Sequence, residues 1–205
     1  MKFIGITGGV GAGKSELLHF MEKEYPVKVL LADTLAHELM QPGTECFARI
    51  AEAFAKEDIF DIKGRLDAKK MANVIFSDAK KREQMNAIVH PAVKKEVLRR
   101  VEHERQKGEI SCFILEAALL IEDGYDKLCD ELWYIYTSKE NRRERLKESR
   151  GYSDEKINAI FASQLSEEIY RKYCKKVIDN NDTLEVSFYQ IRKIFSEMEE
   201  EEKQS

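Results

Sequence analysis

The stretch Gly8-Gly9-Val10-Gly11-Ala12-Gly13-Lys14-Ser15 constrains this chain more than any other. It fits G-x-x-x-x-G-K-[ST] without a mismatch. Five of the ten glycines fall in the first thirteen residues, so half of the chain's most permissive backbone sits in one loop. The apolar run Lys2 to Thr7 precedes it and reads as a strand buried on both faces. A helix from Lys14 to about Glu24 follows, with Leu17, Leu18 and Met21 on its apolar side, and Pro26 stops it. At average glycine usage a chance match in a chain this long is about one in a hundred. The strand before it and the helix after it are the setting in which the motif binds phosphate. Backbone N–H groups converge on phosphate oxygens with no Cβ in the way, and the helix N-terminus faces the same charge. Lys14 then reaches the β- and γ-phosphates, and the Ser15 hydroxyl ligates Mg²⁺.

The rest of the chain alternates strands and helices. Val27 to Leu31, Ser111 to Ile121, Leu132 to Tyr136 and Lys176 to Ile178 read as four further strands. Thr34 to Gln106 is helical, highly charged and without a convincing strand, punctuated by Pro42-Gly43 and Lys63-Gly64, with Pro91 at a helix start. Lys139 to Arg150 is a basic helix. Ser153 caps a helix running to about Tyr173. Thr183 to Glu199 is amphipathic, with Val186, Ile191 and Ile194 as apolar positions, and the acidic end is a solvated fray. This order predicts an α/β fold: a phosphate-loop NTPase-type parallel five-stranded sheet flanked by helices, with an inserted helical domain and a helical lid.

Composition narrows the function. Thirty-four basic and 38 acidic residues leave a formal charge of −4, which argues against a nucleic-acid binder. The 43% hydrophobic content supplies a core. Cys46, Cys112, Cys129 and Cys174 are far apart and form no C-x-x-C pair, so they read as reduced thiols rather than a zinc site. The start has no signal-peptide pattern, and Cys112 to Ile121 is too short for a membrane span and contains Glu116. The expectation is a cytoplasmic protein, a monomer or weak homo-oligomer, with no membrane and no nucleic-acid partner.

A phosphate loop does not name a reaction. The N-K-x-D motif of a GTPase is absent. A helical insert after the second strand and a basic segment after the fourth suggest a small-molecule kinase, the insert holding the acceptor and the basic segment closing over ATP. Asp33, just past the second strand, is either the base for an attacking hydroxyl or a helix N-cap. Glu116 is either an outer acid for the metal's waters or an ordinary strand-end carboxylate. Arg142, Arg143, Arg145 and Arg150 are either lid cations or a solvated face, with Arg142 and Arg145 paired to Glu144 or Glu148. His90 either works in the acceptor region or only packs before Pro91. Tyr125, Trp133 and Tyr134 read as core or rim aromatics.

An ordered set of segments resembles the dephospho-CoA kinase family over nearly the whole chain. They are G-I-T-G-G-V-G-A-G-K-S, L-A-D-T-L-A-H-E-L-M-Q-P-G, G-R-L-D with Val74-Ile75-Phe76 and Met85 to Pro91, Ala118 to Glu122, Arg145-Leu146 with Arg150 to Ser153 and Ala162-Ser163-Gln164, and Val177 to Asn181. The resemblance implies MgATP-dependent phosphorylation of the ribose 3′-hydroxyl of dephospho-CoA. It implies Asp33, Lys14, Arg145 and Arg150 as catalytic residues. Nucleotide contacts fall to Gly8, Gly9, Val10, Gly11, Ala12, Gly13, Lys14, Ser15, Glu16, Asn180 and Asn181, and Ser15 is the metal ligand. It divides the chain into a nucleotide-binding core of residues 1–35, 105–138 and 165–205, an acceptor-binding insert of 36–104 and a lid of 139–164. Four positions depart from the family: Leu31 replaces the first acid of its D-A-D segment, Ala68 an arginine after G-x-L-D, Ala118 a proline, and Ile160 a lid-helix arginine. Two other functions stay open on the residues alone, a nucleoside or nucleotide kinase and a nucleotide-binding regulatory module without an acceptor.

Overall fold

The computed structural model describes residues 1–204 of the chain. It forms two units, one of Met1–Val29 with Gly108–Ser205 and one of Leu30–Lys107.

The first unit is built on a five-stranded sheet. Its strands are β1 (Lys2–Thr7), β2 (Val27–Leu31), β3 (Cys112–Glu116), β4 (Glu131–Tyr136) and β5 (Lys176–Asp179), in the order β2-β3-β1-β4-β5. The chain passes into the second unit within β2. β1 is central and parallel to both neighbours, with Ile4 opposite Ile114 of β3 and Ile6 opposite Trp133 of β4. β4 pairs in parallel with β5. A central parallel strand is covered on both faces, which is why Phe3, Ile4 and Ile6 are all but fully buried.

One face of the sheet is covered by α1 (Lys14–Glu24) and the last helix of the chain, Leu184–Gln204. Leu17, Leu18, Phe20 and Met21 of the first meet Ile191, Ile194, Phe195 and Met198 of the second over Ile4, Ile6, Ile114, Trp133 and Ile178. Phe20 stacks on Phe188 at 4.0 Å and Tyr25 on Phe195 at 3.9 Å. Burying each of these large side chains stabilises by about 1.5–3 kcal/mol. This core includes Ala12 of the loop between β1 and α1.

The second unit is helical: α2 (Ala32–Leu39), α3 (Glu45–Ala53), α4 (Ala68–Ser77) and α5 (Ala79–Lys107). Thr44 caps α3, Asp67 caps α4 through the N–H groups of Lys69 and Lys70, and Asp78 accepts from Lys80 N–H at 2.8 Å to start α5. Continuing along the chain, the helices of the first unit are α6 (Lys139–Arg150), α7 (Asp154–Ala162), α8 (Glu167–Tyr173) and α9 (Leu184–Gln204).

Several expectations are corrected. The third strand stops at Glu116 instead of reaching Ile121, because Ala117 to Gly124 turn back. The helix expected over 153–173 is two: Ser153 caps α7, but the chain leaves the helix after Ala162 and Ser166 caps α8 afresh. Pro91 starts no helix. α5 runs through it, held by buried Val89, Val93, Val97 and Val101 along one side. Asp33 is the second residue of α2, whose N-cap is Leu31, so it is not a cap. Val186 is 44% exposed rather than a core position. The acidic end is helical to Gln204, since Met198 is buried and Glu197 and Glu201 pair with Lys176 and Lys2. Phe60 and Leu66 also form an isolated antiparallel bridge. Tyr125, Trp133 and Tyr134 are buried, and the four cysteines are free.

Candidate active site at the phosphate loop

The loop from Gly8 to Gly13 joins central β1 to α1, so its position is set by a strand and a helix that both contribute to the core. Gly11 and Gly13 have φ of 84° and 80°, a backbone region that favours glycine, and Gly13 forms the N-cap of α1. A Cβ at Gly13 would lie 2.5 Å from Asn180 Nδ2. The helix starting there aims its positive end at the loop.

Three alternate loop carbonyls, those of Gly8, Val10 and Ala12, each accept from side chains. Lys14 Nζ donates to Gly8 O at 2.8 Å. Arg142 Nε of α6 donates to Val10 O at 2.9 Å. Asn180 Nδ2 donates to Ala12 O at 2.8 Å, joined by Thr137 Oγ1 at 3.1 Å. Lys14 also forms an ion pair with Glu116 Oε1 at 3.3 Å, with both side chains about one-sixth exposed. Glu116, at the end of β3, thus meets the loop lysine directly. Ser15 and Glu16 are exposed in the first turn of α1.

The residues after β5 divide by role. Asn180 is 2% exposed, and its side chain is engaged by Ala12 O and by Ser187 Oγ at 2.8 Å. Its backbone oxygen accepts from Arg145 Nη2 at 2.8 Å. Asn181 Oδ1 accepts from the Ser138 N–H at 2.8 Å and from Asn141 Nδ2 at 3.0 Å, holding the start of α6. A cavity of 280 Å³ is lined by Gly13, Glu16, Arg145, Asn180, Asp182 and Leu184.

The basic helix α6 separates its arginines. Arg145 lies beside the loop, on Asn180 O. Arg143 pairs with Asp154 at 2.6 Å and Arg150 is exposed beside the Tyr152 ring. Arg142 is 8% exposed and packs against Gly9, and its Nη2 donates to Gln164 Oε1. Burial pulls its pKa below the usual arginine value. Neither Arg142 nor Arg145 uses Glu144 or Glu148. Helical spacing puts positions 142 and 145 on one face, but nothing in the sequence marks 142 as the buried one. Ile160 leaves α7 without an arginine, and the guanidinium beside Gln164 comes from α6 instead.

In the second unit Asp33 is exposed in the first turn of α2. A cavity of 380 Å³ has Leu39, Cys46 and Pro91 on its apolar side, with Arg49 and the ion pairs Lys95–Glu45 and Arg99–Glu96 around it. Ala68 lines another of 250 Å³, with His37 and Arg65. Arg65 is held by Asp61, whose carboxyl lies below the usual range through hydrogen bonds from the Arg65 and Lys63 N–H groups and the Arg65 charge. His90 is half-buried within α5. No helix among the described residues is long and apolar enough to cross a membrane, and none of their His, Cys, Asp and Glu side chains forms a ready three-ligand metal cluster.

The dephospho-CoA kinase family model matches residues 2–185. A dephospho-CoA kinase of Aquifex aeolicus is 35% identical over 198 residues, covering 97% of this chain and 98% of its own. One of Symbiobacterium thermophilum is 34% identical over 185 residues, covering 90% of this chain and 76% of its own. The crystal structure of TT1252 from Thermus thermophilus superposes with a TM-score of 0.76 at 28% identity, covering 96% of this chain and 97% of that one.

Proposed function

The chain belongs to the dephospho-CoA kinase family, and we propose that it transfers the γ-phosphoryl group of MgATP to the ribose 3′-hydroxyl of dephospho-CoA, giving coenzyme A and ADP. Family membership favours this over a nucleotide kinase or a regulatory module. The observation that carries the chemistry is the unbroken phosphate loop with Lys14 suspended between Gly8 O and Glu116.

The residues present fit MgATP. The positive-φ glycines leave a backbone concavity at a helix N-terminus, and the exposed Ser15 hydroxyl supplies one hard oxygen ligand. Mg²⁺ sites in such kinases take few protein ligands and complete their shell with phosphates and water, so the lack of a carboxylate cluster is no obstacle. When bound, MgATP supplies the phosphoryl group and neutralises part of its charge.

The chain's own residues do the rest. The loop N–H groups and Lys14 bind the phosphates. Arg145 meets the developing charge, with Arg150 brought in by lid closure over residues 139–164. Gly13, Glu16, Arg145 and Asn180 border the nucleotide's cavity, with Asn181 securing the adjoining start of α6. Asp33 accepts the proton of the 3′-hydroxyl. The helical segment 36–104 holds the acceptor. The enzyme works in the cytoplasm as a monomer or weak homo-oligomer, and four free thiols agree with a reducing compartment.

The test is an acceptor assay with γ-labelled ATP on purified protein, comparing dephospho-CoA with nucleosides and nucleoside monophosphates, together with Asp33→Asn. Label transfer to dephospho-CoA is expected, with kcat in the variant down about 10²–10⁴-fold and ATP affinity held. Transfer to a nucleotide instead, or no transfer, refutes the reading. Unchanged kcat in Asp33→Asn removes the base assignment alone.

A further inference from the structure

We propose that Arg142 is the positioning residue of the phosphate loop: it sets the Val10–Gly11 peptide plane for phosphate binding and ties that plane to the end of α7. This rests on the reading of the loop as a nucleotide-phosphate site.

Arg142 is the buried cation of its helix, while Arg145, half-buried on Asn180 O, likewise has no carboxylate partner among the described residues. Arg143 and Lys147 share Asp154, and Arg150 faces solvent beside Tyr152. Arg142 is 8% exposed, and among the described residues no carboxylate pairs with it. Burying a guanidinium without a counter-charge is costly, so such groups persist where hydrogen bonds or a ligand answer for them. Here Nε donates to Val10 O at 2.9 Å, Nη2 donates to Gln164 Oε1, and the guanidinium carbon lies 4.4 Å from the centre of the Phe161 ring. Two of these three contacts belong to the end of α7 and one to the loop.

The contact with Val10 has a geometric consequence. A peptide unit is planar and, in this chain, trans. Its C=O and its N–H therefore point in opposite directions. A donor that captures Val10 O from the α6 side turns the Gly11 N–H away from α6. Asn180 and Thr137 act likewise on Ala12 O and so orient the Gly13 N–H. Gly11 and Gly13 are the two positive-φ residues of the loop, the positions where a backbone N–H can turn into an anion nest. The intervening Ala12 N–H is already spent on Gly9 O at 3.0 Å.

Gly9 completes the arrangement. A Cβ there would occupy the space of the Arg142 guanidinium, so the absent side chain lets the cation reach the next carbonyl. Arg142 touches no reacting atom. It acts through the loop, and through Gln164 it makes loop geometry depend on where α7 ends.

The test is calorimetric titration of the full chain with MgADP, without acceptor, for wild type, Arg142→Ala and Arg142→Lys, alongside circular dichroism and amide exchange at Gly11. Loss of a charge-assisted hydrogen bond predicts an affinity for MgADP down about 10- to 100-fold in Arg142→Ala, partly restored by free guanidinium ion, with less protection of the Gly11 N–H by bound MgADP. Arg142→Lys, whose single ammonium cannot span Val10 and Gln164 together, loses several-fold with its fold intact. MgADP affinity of Arg142→Lys within twofold of wild type overturns the inference, even if Arg142→Ala fails to fold. Wild-type protein that binds no MgADP overturns the nucleotide reading and this inference with it.

Discussion

Replacing Asn180 with alanine separates a group that holds the loop from one that holds the nucleotide. The carboxamide is buried and engaged at both ends, with Nδ2 on Ala12 O and Oδ1 receiving Ser187 Oγ, both at 2.8 Å. The variant removes two neutral hydrogen bonds. Neither partner is stranded: Ala12 O keeps Thr137 Oγ1 at 3.1 Å, and Ser187 Oγ keeps Asp179 O at 3.1 Å. The cost is therefore the net worth of two bonds, about 1–3 kcal/mol, and not the larger penalty of an orphaned polar group. At roughly 2–4 °C per kcal/mol for a chain of this size, Tm falls by about 2–12 °C. Thermal and urea unfolding of Asn180→Ala, Ser187→Ala and the double variant measure this. The two residues share a bond, so their effects should fall short of additive by on the order of 1 kcal/mol or less. MgADP affinity should weaken only several-fold, since Ala12 O retains a donor. Stability unchanged within about 0.5 kcal/mol, with nucleotide affinity lost, would refute this and make Asn180 a direct nucleotide contact.

Two further outcomes follow from the same geometry. Lys14→Met should lower kcat at least about 10²-fold, because the ammonium held by Gly8 O and Glu116 is the cation of the phosphate loop, and near-normal turnover in steady-state kinetics would remove the loop assignment. Burial alone would raise the Glu131 carboxyl, but hydrogen bonds from Trp133 and Lys175 and the charges of Lys175 and Lys2 outweigh it, so its pKa lies below the ordinary 4.5. A depressed pKa contributes stability above the unfolded value and loses it as pH falls through the folded one. The stability gap between wild type and Glu131→Gln, present at pH 7, should thus close below about pH 4.5 in urea unfolding, and a gap that widens in acid would reverse the assignment.

Much of the framework could be read in advance, because its signals are local. Lys2 to Thr7 is apolar enough to be buried on both faces, glycines crowd the next six positions, and Ser153 and Pro26 mark helix boundaries by short-range chemistry. Such patterns depend on neighbours within a few residues and survive whatever the rest of the chain does. The α/β class, the loop and its lysine belong to this part, as does the ordered set of segments that marks the family.

The rest was decided by contacts between distant positions. No local signal places Arg142 on Val10 O across 132 residues, or gives Arg143, its neighbour in sequence, to Asp154 instead. Asn180 resembles a loop residue free to meet a ligand until β5 and α9 enclose it between Ala12 and Ser187. The acidic end looks solvated until Met198 finds the core and Glu197 and Glu201 find Lys176 and Lys2. α5 runs through Pro91 because a line of buried valines outweighs one missing hydrogen bond. Local propensity amounts to tenths of a kcal/mol per residue, while burial of a side chain or pairing of a buried charge amounts to one or more, so where the two conflict the tertiary contact prevails.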